Sequence, residues 1–191
     1  RPFRAEREGM SIGEGAAVLV LETAASARAR GARILGWLLG AGASCDAHHM
    51  TAPQPEGTHI EAALREALAR AGIRPLDVDY VNLHGTATPQ NDAVEAAMLS
   101  RVFAGHRSLH ASSTKGCTGH TLGAAGIVEA IVCMLAIEQG FRPGTVGARE
   151  LDAVCGSHIR LAADEAPVRH AVSHAFGFGG TNAVLVFGAA P

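Results

Sequence analysis

The chain has 191 residues, of which 48% are hydrophobic, and this is enough apolar material to bury one substantial core. Basic and acidic residues are interspersed and leave a formal net charge of -2, so nothing favours general binding to nucleic acid. The longest apolar runs, near residues 16–21 and 130–137, are shorter than the roughly 20 residues that span a bilayer. These runs predict no transmembrane helix.

The chain begins with Arg1 and shows neither an initiator methionine nor a cleavable apolar leader, so we expect its start to be an interior cut in a longer protein. The cysteines form no CxxC pair and are too sparse for a disulfide scaffold, which favours a reducing compartment. The sequence therefore predicts a cytoplasmic protein.

Only one lysine, Lys115, accompanies fifteen arginines. A compact ammonium on a flexible stem differs chemically from a planar guanidinium, so a single lysine in an arginine-rich chain is a candidate for a functional site. The alternative is a surface lysine left over from a compositional bias toward arginine.

Apolar runs and amphipathic segments alternate along the chain. Strands are predicted at residues 16–22, 34–42, 78–83 and 108–113, and helices at residues 23–33, 58–71, 91–103 and 121–139. The last helix is small and apolar almost all round, which predicts burial between layers. Residues 171–175 and 182–187 predict a β-hairpin with a glycine-rich turn. This alternation predicts a layered α/β fold with a largely covered sheet.

Three segments could carry chemistry. His84 follows the predicted strand at 78–83, and strand ends are where open α/β sheets bind ligands. His120 lies five residues after Lys115 and just before the apolar helix, whose positive end disfavours an imidazolium. The turn Phe176-Gly177-Phe178-Gly179-Gly180 could point backbone N–H groups at a ligand as an oxyanion hole. Each segment alone also has an ordinary structural explanation.

Together, these segments resemble the elongating β-ketoacyl-acyl-carrier-protein synthases, ketosynthases of the thiolase superfamily. The match rests on the HGTxT loop at residues 84–88, the STK and GH motifs within 113–120, and the GFGGTN hairpin at 177–182. Further matches are Arg1-Pro2-Phe3, Gly13-Glu14-Gly15, His49-Met50-Thr51 and Gly123-Ala124-Ala125-Gly126. The resemblance implies a thiolase-like fold, layered α/β/α, of which this chain is the C-terminal half. Residues 1–33 would end the N-terminal half, and residues 34–191 would form the C-terminal half.

The resemblance also implies catalytic roles. His84 and His120 would donate hydrogen bonds to the enolate formed as malonyl loses carbon dioxide, and Lys115 would support the surroundings of His120. Phe178 would lend its backbone N–H to the oxyanion hole of acyl transfer, while its ring gates the acyl pocket.

Further residues receive lesser roles by the same resemblance. Glu129 would be the acidic partner in the lysine network, and Asp92 and Glu95 would support the histidine loop. The substrate-binding positions would be Thr86, Thr88, Phe176, Gly177 and Gly179.

The same family implies acyl carrier protein as the partner that delivers acyl and malonyl groups, and a homodimer or a ketosynthase heterodimer as the assembly. It implies no cofactor and no metal. The family's nucleophilic cysteine belongs to the N-terminal half, and we expect none of Cys45, Cys117, Cys133 or Cys155 to replace it.

Other functions remain open from the residues alone. Ten histidines could serve a metal-dependent hydrolase, but no HExxH spacing occurs. A nucleotide-binding module would need a third glycine after Gly13-Glu14-Gly15 or a GxxxxGK[ST] loop. The main alternative is a non-catalytic partner subunit similar to the chain-length factors of ketosynthase heterodimers, although such a subunit has no use for both histidines and the lysine.

Overall fold

A computed structural model describes residues 1–147 and 149–190. The helices are α1 (Ala24–Ala29), α2 (Thr58–Ala71), α3 (Pro89–Val102), α4 (Lys115–Thr118) and α5 (Ala125–Gln139). Short 3-10 turns occupy Pro75–Asp77, Leu122–Ala124 and Phe178–Gly180. The strands are β1 (Gly36–Cys45), β2 (Tyr80–Asn82), β3 (His110–Ser112), β4 (Phe141–Arg142), β5 (Asp164–Glu165), β6 (His170–Gly177) and β7 (Thr181–Ala189).

Five strands form one mixed sheet in the order β1-β7-β6-β2-β3. Strands β6, β2 and β3 run parallel to one another, whereas β7 pairs antiparallel with both β6 and β1. Helices α2 and α3 pack with one face of the sheet in the larger apolar cluster, and α5 packs on the other face with Tyr80, Ala171 and Phe187. The predicted layered α/β fold is confirmed.

Local sequence patterns predicted several elements correctly. Helix α2 covers the predicted residues 58–71 and ends at Gly72, whose φ of 69° lets its N–H cap the last carbonyls. Helix α3 begins two residues before its predicted start because Pro89 suits the first turn of a helix. The predicted hairpin is present as β6 and β7. The short β4–β5 pair and the single turn of α4 have no periodic pattern and were not predicted.

The predicted strand at residues 16–22 is wrong. The segment forms no strand, and Val18 and Val20 are 82% and 80% exposed. A strand needs a neighbour for its backbone hydrogen bonds, and no strand among the described residues pairs with this segment. The helix predicted at 23–33 shortens to α1, which ends before Gly31.

The apolar helix is buried on one face only. The buried positions are Ala125, Glu129, Ala130, Cys133 and Ala136, which follow the helical repeat and face the sheet. The opposite face includes Leu135, which is 43% exposed, so the predicted burial on all sides is not what the structure shows.

Residues 122–139 are also long and apolar enough to cross a membrane by length and composition, contrary to the expectation from the shorter runs. Core helices and signal sequences share this property, and in this structure α5 packs on the sheet by one face.

Strand β1 lies close to α2 because two of its three glycines, Gly40 and Gly42, face that helix. A Cβ on Gly42 would lie 2.0 Å from the carbonyl oxygen of Ala63, and one on Gly40 would lie 2.3 Å from that of Ala67. Both obstacles are helix backbone, which cannot rotate away. This contact fixes the distance between the sheet and the helix layer.

We predict that Gly42→Ala lowers the free energy of unfolding of the full-length protein by about 3 kcal/mol, because the strand and the helix must separate. Chemical denaturation would measure the loss. The matched control is Ala43→Ser at the next, exposed position of β1, where a change within about 0.5 kcal/mol is expected. Equal stabilities of the two variants would contradict the packing argument.

Candidate active site

The candidate site lies where three parallel strands end. Because β2, β3 and β6 run in the same direction, their carboxyl ends meet at one edge of the sheet. His84 follows β2, Lys115 follows β3, and Phe176 lies at the end of β6. The order of the strands therefore gathers segments that are far apart in the sequence.

Two histidines form the centre of this site. The ring centroids of His84 and His120 are 5.4 Å apart and the rings are nearly perpendicular, at 85°. Phe176 also packs against His84, with its ring centroid likewise at 5.4 Å. The His120 segment is held by a bridge to Ser11 and Ile12, because the His120 N–H donates to the Ser11 carbonyl at 2.8 Å. The two imidazoles predicted from separate motifs are thus neighbours.

Both imidazoles are kept neutral by their surroundings. Burial, followed by the nearby Lys115 ammonium, lowers the pKa of His84 well below its ordinary value. Burial and the same ammonium also lower the pKa of His120. Neutral imidazole carries one proton, on either Nδ1 or Nε2.

Hydrogen bonds at Nδ1 identify the tautomer of each ring. The backbone N–H of Leu122 donates to Nδ1 of His120 at 3.2 Å. The Lys115 ammonium has only protons to donate, and its Nζ lies 3.4 Å from Nδ1 of His84. Since each Nδ1 accepts, each proton sits on Nε2. Both rings can therefore donate a hydrogen bond from Nε2.

Lys115 is part of a buried network with His84 and Glu129. Its Nζ donates to the His84 carbonyl oxygen at 2.6 Å and forms a close ion pair with Oε1 of Glu129 from α5. Burial raises the pKa of Glu129 to about 7, although the Lys115 charge acts in the opposite direction. Glu129 is thus in contact with Lys115, as expected of its acidic partner. Among the two histidines, the ammonium contacts His84 directly, because the register of β2 and β3 sets the two following loops side by side, and it acts on His120 through its charge.

Two buried acids lie under the histidine loop. Glu95 accepts the N–H groups of His84 and Gly85, each at 2.8 Å, through its two carboxylate oxygens. Asp92 accepts from Ala87 at 3.2 Å and from Phe3 at 2.7 Å. Burial raises the pKa of Asp92 to about 6. One turn of α3 separates the two acids, so a single helix face supports the whole loop.

The glycine-rich turn is clamped by the loop after β1. Asp46 accepts from Asn182 at 2.7 Å and from the Gln54 N–H at 2.9 Å, and its own N–H donates to the Gly180 carbonyl at 2.9 Å. The Gly179 N–H donates to the Met50 carbonyl at 2.7 Å, so it does not point at a ligand as the sequence prediction implied. The Met50 carbonyl belongs to the loop after β1, and no local sequence pattern predicts where this loop lies.

Two cavities flank His120. The first cavity has a volume of about 310 Å³. The residues that line it include His84, His120, Thr86, Thr88, Phe176, Gly177 and Phe178. The Phe178 ring is 67% exposed at its mouth. The other cavity, of about 320 Å³, lies against Lys115, Cys117 and Arg1. The predicted substrate positions other than Gly179 thus line the first cavity, where Thr86 and Thr88 also share a hydrogen bond of 2.8 Å between their hydroxyl oxygens.

None of the four cysteines is placed as an activated nucleophile between the histidines. Cys133 belongs to α5 and is buried, and burial raises the pKa of its thiol strongly. Burial also raises the pKa of Cys155, to about 11. Cys45 and Cys117 are exposed, and Cys117 lines only the second cavity of the two. Acyl transfer by one of these thiols has no geometric support.

Sequence reasoning missed several residues of the site. Asp46, Arg7 and His174 are buried and bonded to residues of the predicted motifs. Arg7 reaches Asp152 at 2.6 Å and approaches Asp92 at 3.6 Å. Only its place four residues after Phe3 could have suggested a role. His174 lies two residues before Phe176, but a single histidine in a strand carries no functional signal by itself.

Known proteins are similar to this chain along its whole length. A family model described as "Beta-ketoacyl synthase, C-terminal domain" matches residues 35–149. A relative named "3-oxoacyl-[acyl-carrier-protein] synthase, mitochondrial", from Arabidopsis thaliana, is 46% identical over 98% of this chain and 42% of that protein. The chain thus spans less than half the length of this curated relative.

Solved structures give the same result. "The ishigamide ketosynthase/chain length factor" superposes with a TM-score of 0.94 at 43% identity over all of this chain and 47% of that one. A type II polyketide synthase acyl-carrier protein in complex with its ketosynthase gives 0.93 at 31% identity, over 100% of this chain and 47% of that one. These similarities confirm the resemblance read from the motifs and the fold class, the C-terminal portion of a thiolase-like ketosynthase.

We predict that Lys115→Met lowers the free energy of unfolding of the full-length protein by about 3–5 kcal/mol, because it leaves the buried Glu129 carboxylate unpaired. The loss should grow as pH rises above about 7, where Glu129 beside Lys115 releases its proton in the unmodified protein while the unpaired carboxyl of the variant still holds one. A carboxyl whose pKa is raised on folding binds its proton more tightly in the folded state, so deprotonation costs stability. Chemical denaturation at pH 6 and pH 8 would measure both effects.

The control for this prediction is the double variant Lys115→Met, Glu129→Leu, which removes both charges and should recover most of the lost stability. If the double variant is as unstable as the single one, unpaired charge is not the cause of the loss.

A second prediction concerns the clamp on the glycine-rich turn. Asp46→Ala removes two hydrogen bonds to a carboxylate, so amide exchange in residues 177–182 should become roughly tenfold faster or more. Hydrogen–deuterium exchange followed by mass spectrometry would measure this. His48→Ala, at an exposed position two residues away, is the control and should leave the exchange unchanged. Unchanged exchange in both variants would show that Asp46 does not hold the turn.

Proposed function

Because the chain belongs to the beta-ketoacyl synthase family, as its C-terminal domain, we propose that the whole protein is a β-ketoacyl-acyl-carrier-protein synthase. Such an enzyme condenses an acyl group held on the enzyme with malonyl on acyl carrier protein, and carbon dioxide leaves. The observation that carries the proposal is the pair of buried neutral imidazoles, His84 and His120, that can donate from Nε2.

Two neutral donors suit the decarboxylation step. When the malonyl carboxylate leaves as carbon dioxide, its bonding electrons pass to the thioester carbonyl and create an enolate oxygen. Hydrogen bonds from the Nε2 atoms of His84 and His120 stabilise a charge that exists only during the reaction, and such bonds lower the barrier. The network of Lys115 and Glu129 fixes the acceptor state of Nδ1 in His84, and thereby keeps the proton on Nε2.

Acyl transfer requires a nucleophile that this chain does not supply in its described residues. We place it in the N-terminal half of the whole protein, with residues 1–33 as the end of that half and residues 34–191 as the C-terminal half. The similar coverage of relatives, under half of each, supports this division, as does the start of the family match at residue 35. The exposed apolar positions Val18 and Leu135 supply surface for the other half.

The acyl group is proposed to occupy the 310 Å³ cavity. Thr86, Thr88, Phe176 and Gly177 line this cavity and would contact substrate, and the exposed Phe178 ring at the mouth would gate entry. The Phe178 N–H would serve as a donor of the oxyanion hole in acyl transfer. Gly179 would act on the shape of the turn, since its N–H is bonded to Met50.

The proposed partner is acyl carrier protein, which is bound to a ketosynthase in one of the similar structures. The protein is proposed to act in the cytoplasm as a soluble homodimer or ketosynthase heterodimer. The alternative is a chain-length-factor subunit, a component that also occurs in the name of a similar structure. The intact network of Lys115 and Glu129 with both histidines favours the catalytic subunit.

We predict that His84→Ala and His120→Ala each slow decarboxylation of malonyl-acyl carrier protein by the full-length protein at least a hundredfold, as on loss of one oxyanion donor. Release of carbon dioxide would be measured. In the unmodified protein, the rate should stay level as the pH is lowered through 6.5, the ordinary pKa of imidazole. Burial lowers the pKa of both rings, so they stay neutral in this range.

His106→Ala is a control for these variants. His106 is buried, but its ring bonds the carbonyl of Val78, which precedes β2, whereas His84 follows β2. It should retain decarboxylation in whatever fraction folds. Rates within a few-fold of the unmodified protein for both site variants would refute the assignment. Absence of activity in the unmodified full-length protein would favour the chain-length-factor alternative.

A further inference from the structure

A third buried histidine lies behind the site. His174, on β6, has no exposed surface, and its Nδ1 lies 2.9 Å from Oε1 of Glu95. We infer that His174 is a positioning residue: it holds Glu95, and through Glu95 the backbone of His84, in the geometry that decarboxylation needs. This inference rests on the proposed function and adds a residue that acts on His84 without touching substrate.

Three hydrogen-bond donors surround Glu95. Its carboxylate is fully buried and accepts the N–H groups of His84 and Gly85, one on each oxygen. His174 adds a third contact, to the same oxygen that accepts from His84. A carboxylate without water needs its lone pairs satisfied, so removal of one donor favours a different orientation of the group. Any such rotation moves the His84 amide with it.

The tautomer of His174 suits this contact. A carboxylate accepts, so Nδ1 of His174 carries the proton and donates it to Glu95. Nε2 of His174 is buried and has no partner among the side chains and backbone that the structure describes. Glu95 is therefore the one hydrogen-bond partner of this ring among the described residues, and the contact is a directed hydrogen bond from Nδ1.

His174 also reaches His84 through the ring of Phe176. The ring centroid of His174 lies 5.5 Å from that of Phe176, and Phe176 lies 5.4 Å from His84. His174 consequently supports His84 twice, at its backbone through Glu95 and at its imidazole through Phe176. Loss of the His174 ring should shift both supports together.

The carbonyl groups of the His84 loop are held from the β3 side, so Glu95 determines the position of its N–H groups. Lys115 donates to the His84 carbonyl at 2.6 Å, and the Ser113 hydroxyl donates to the Gly85 carbonyl at 2.7 Å. The carbonyls of both residues are therefore held from the β3 side, whereas their N–H groups depend on Glu95 alone among these contacts. His174 thus controls the half of the support that remains adjustable.

The test uses the full-length protein and separates two partial reactions. His174→Leu removes the donor while it keeps an apolar side chain in the core. We expect decarboxylation of malonyl-acyl carrier protein to fall about tenfold or more, because small misplacements of a catalytic group are costly. Loading of an acyl group onto the enzyme, measured by mass, should change less than threefold. A purely structural role would lower both rates equally.

His174→Asn is the rescue variant, because its amide can still donate to Glu95 and should return decarboxylation to within about threefold of the unmodified protein. If His174→Leu does not fold, Glu95→Gln of nearly equal volume takes its place, with the same selective loss expected. Equal loss of both reactions, no loss, or failure of Asn to rescue would each overturn the inference. His84→Ala is run in parallel: if that variant keeps decarboxylation, the proposed function fails, whereas loss there with none in His174→Leu rejects only the role of His174.

Discussion

The buried contact between Lys115 and Glu129 connects the parts of the molecule on which the site depends. Lys115 follows β3, Glu129 belongs to α5, and the same ammonium donates to the carbonyl of His84 after β2. One charged group therefore joins the helix under the sheet to two loops at its edge. Without it, the buried Glu129 carboxylate would lack its counter-charge, and the His84 loop would lack a donor to its carbonyl.

The energetic logic of this contact is one of position more than of stability. Taking both charges out of water costs several kcal/mol per ion, and their attraction only offsets that cost when the geometry is good. Oε2 of Glu129 has no partner among the described residues, so the desolvation of this carboxylate is incompletely compensated. An apolar pair of similar volume would serve the fold as well. What an apolar pair could not do is donate a hydrogen bond to His84 and help to keep its imidazole neutral.

The sequence predicted which residues gather at the candidate site better than it predicted their contacts. Motifs located His84, Lys115 and His120, because short glycine-containing loops with particular side chains carry strong information. Glu129 was expected as the acidic partner of Lys115 and is in contact with it, whereas the contact of Lys115 with His84 was not predicted, because it depends on the β2–β3 register. Periodicity predicted α2 and the hairpin well, because their signals are local.

His174 shows why the rest escaped prediction. It contacts Glu95, 79 positions earlier in the chain, and that contact depends on β6 lying beside β2 in the sheet. Nothing local distinguishes a strand histidine that faces a buried acid from one that simply fills the core. Asp46 is similar, since its partner Asn182 is 136 positions away. Long-range pairings of this kind are set by strand order, which a periodic pattern does not specify.

The two burial predictions that failed have a common physical meaning. Residues 16–22 were expected to form a buried strand and α5 to be covered on all sides, yet Val18, Val20 and Leu135 are exposed. Apolar periodicity reports the environment in which a segment is stable, whereas exposure reports the neighbours that are present. The apolar pattern of these segments therefore favours more burial than the described residues provide. Under the proposed division of the enzyme, the same covering half also supplies the nucleophile, so the surfaces that complete the fold and the chemistry that completes the reaction would arrive together.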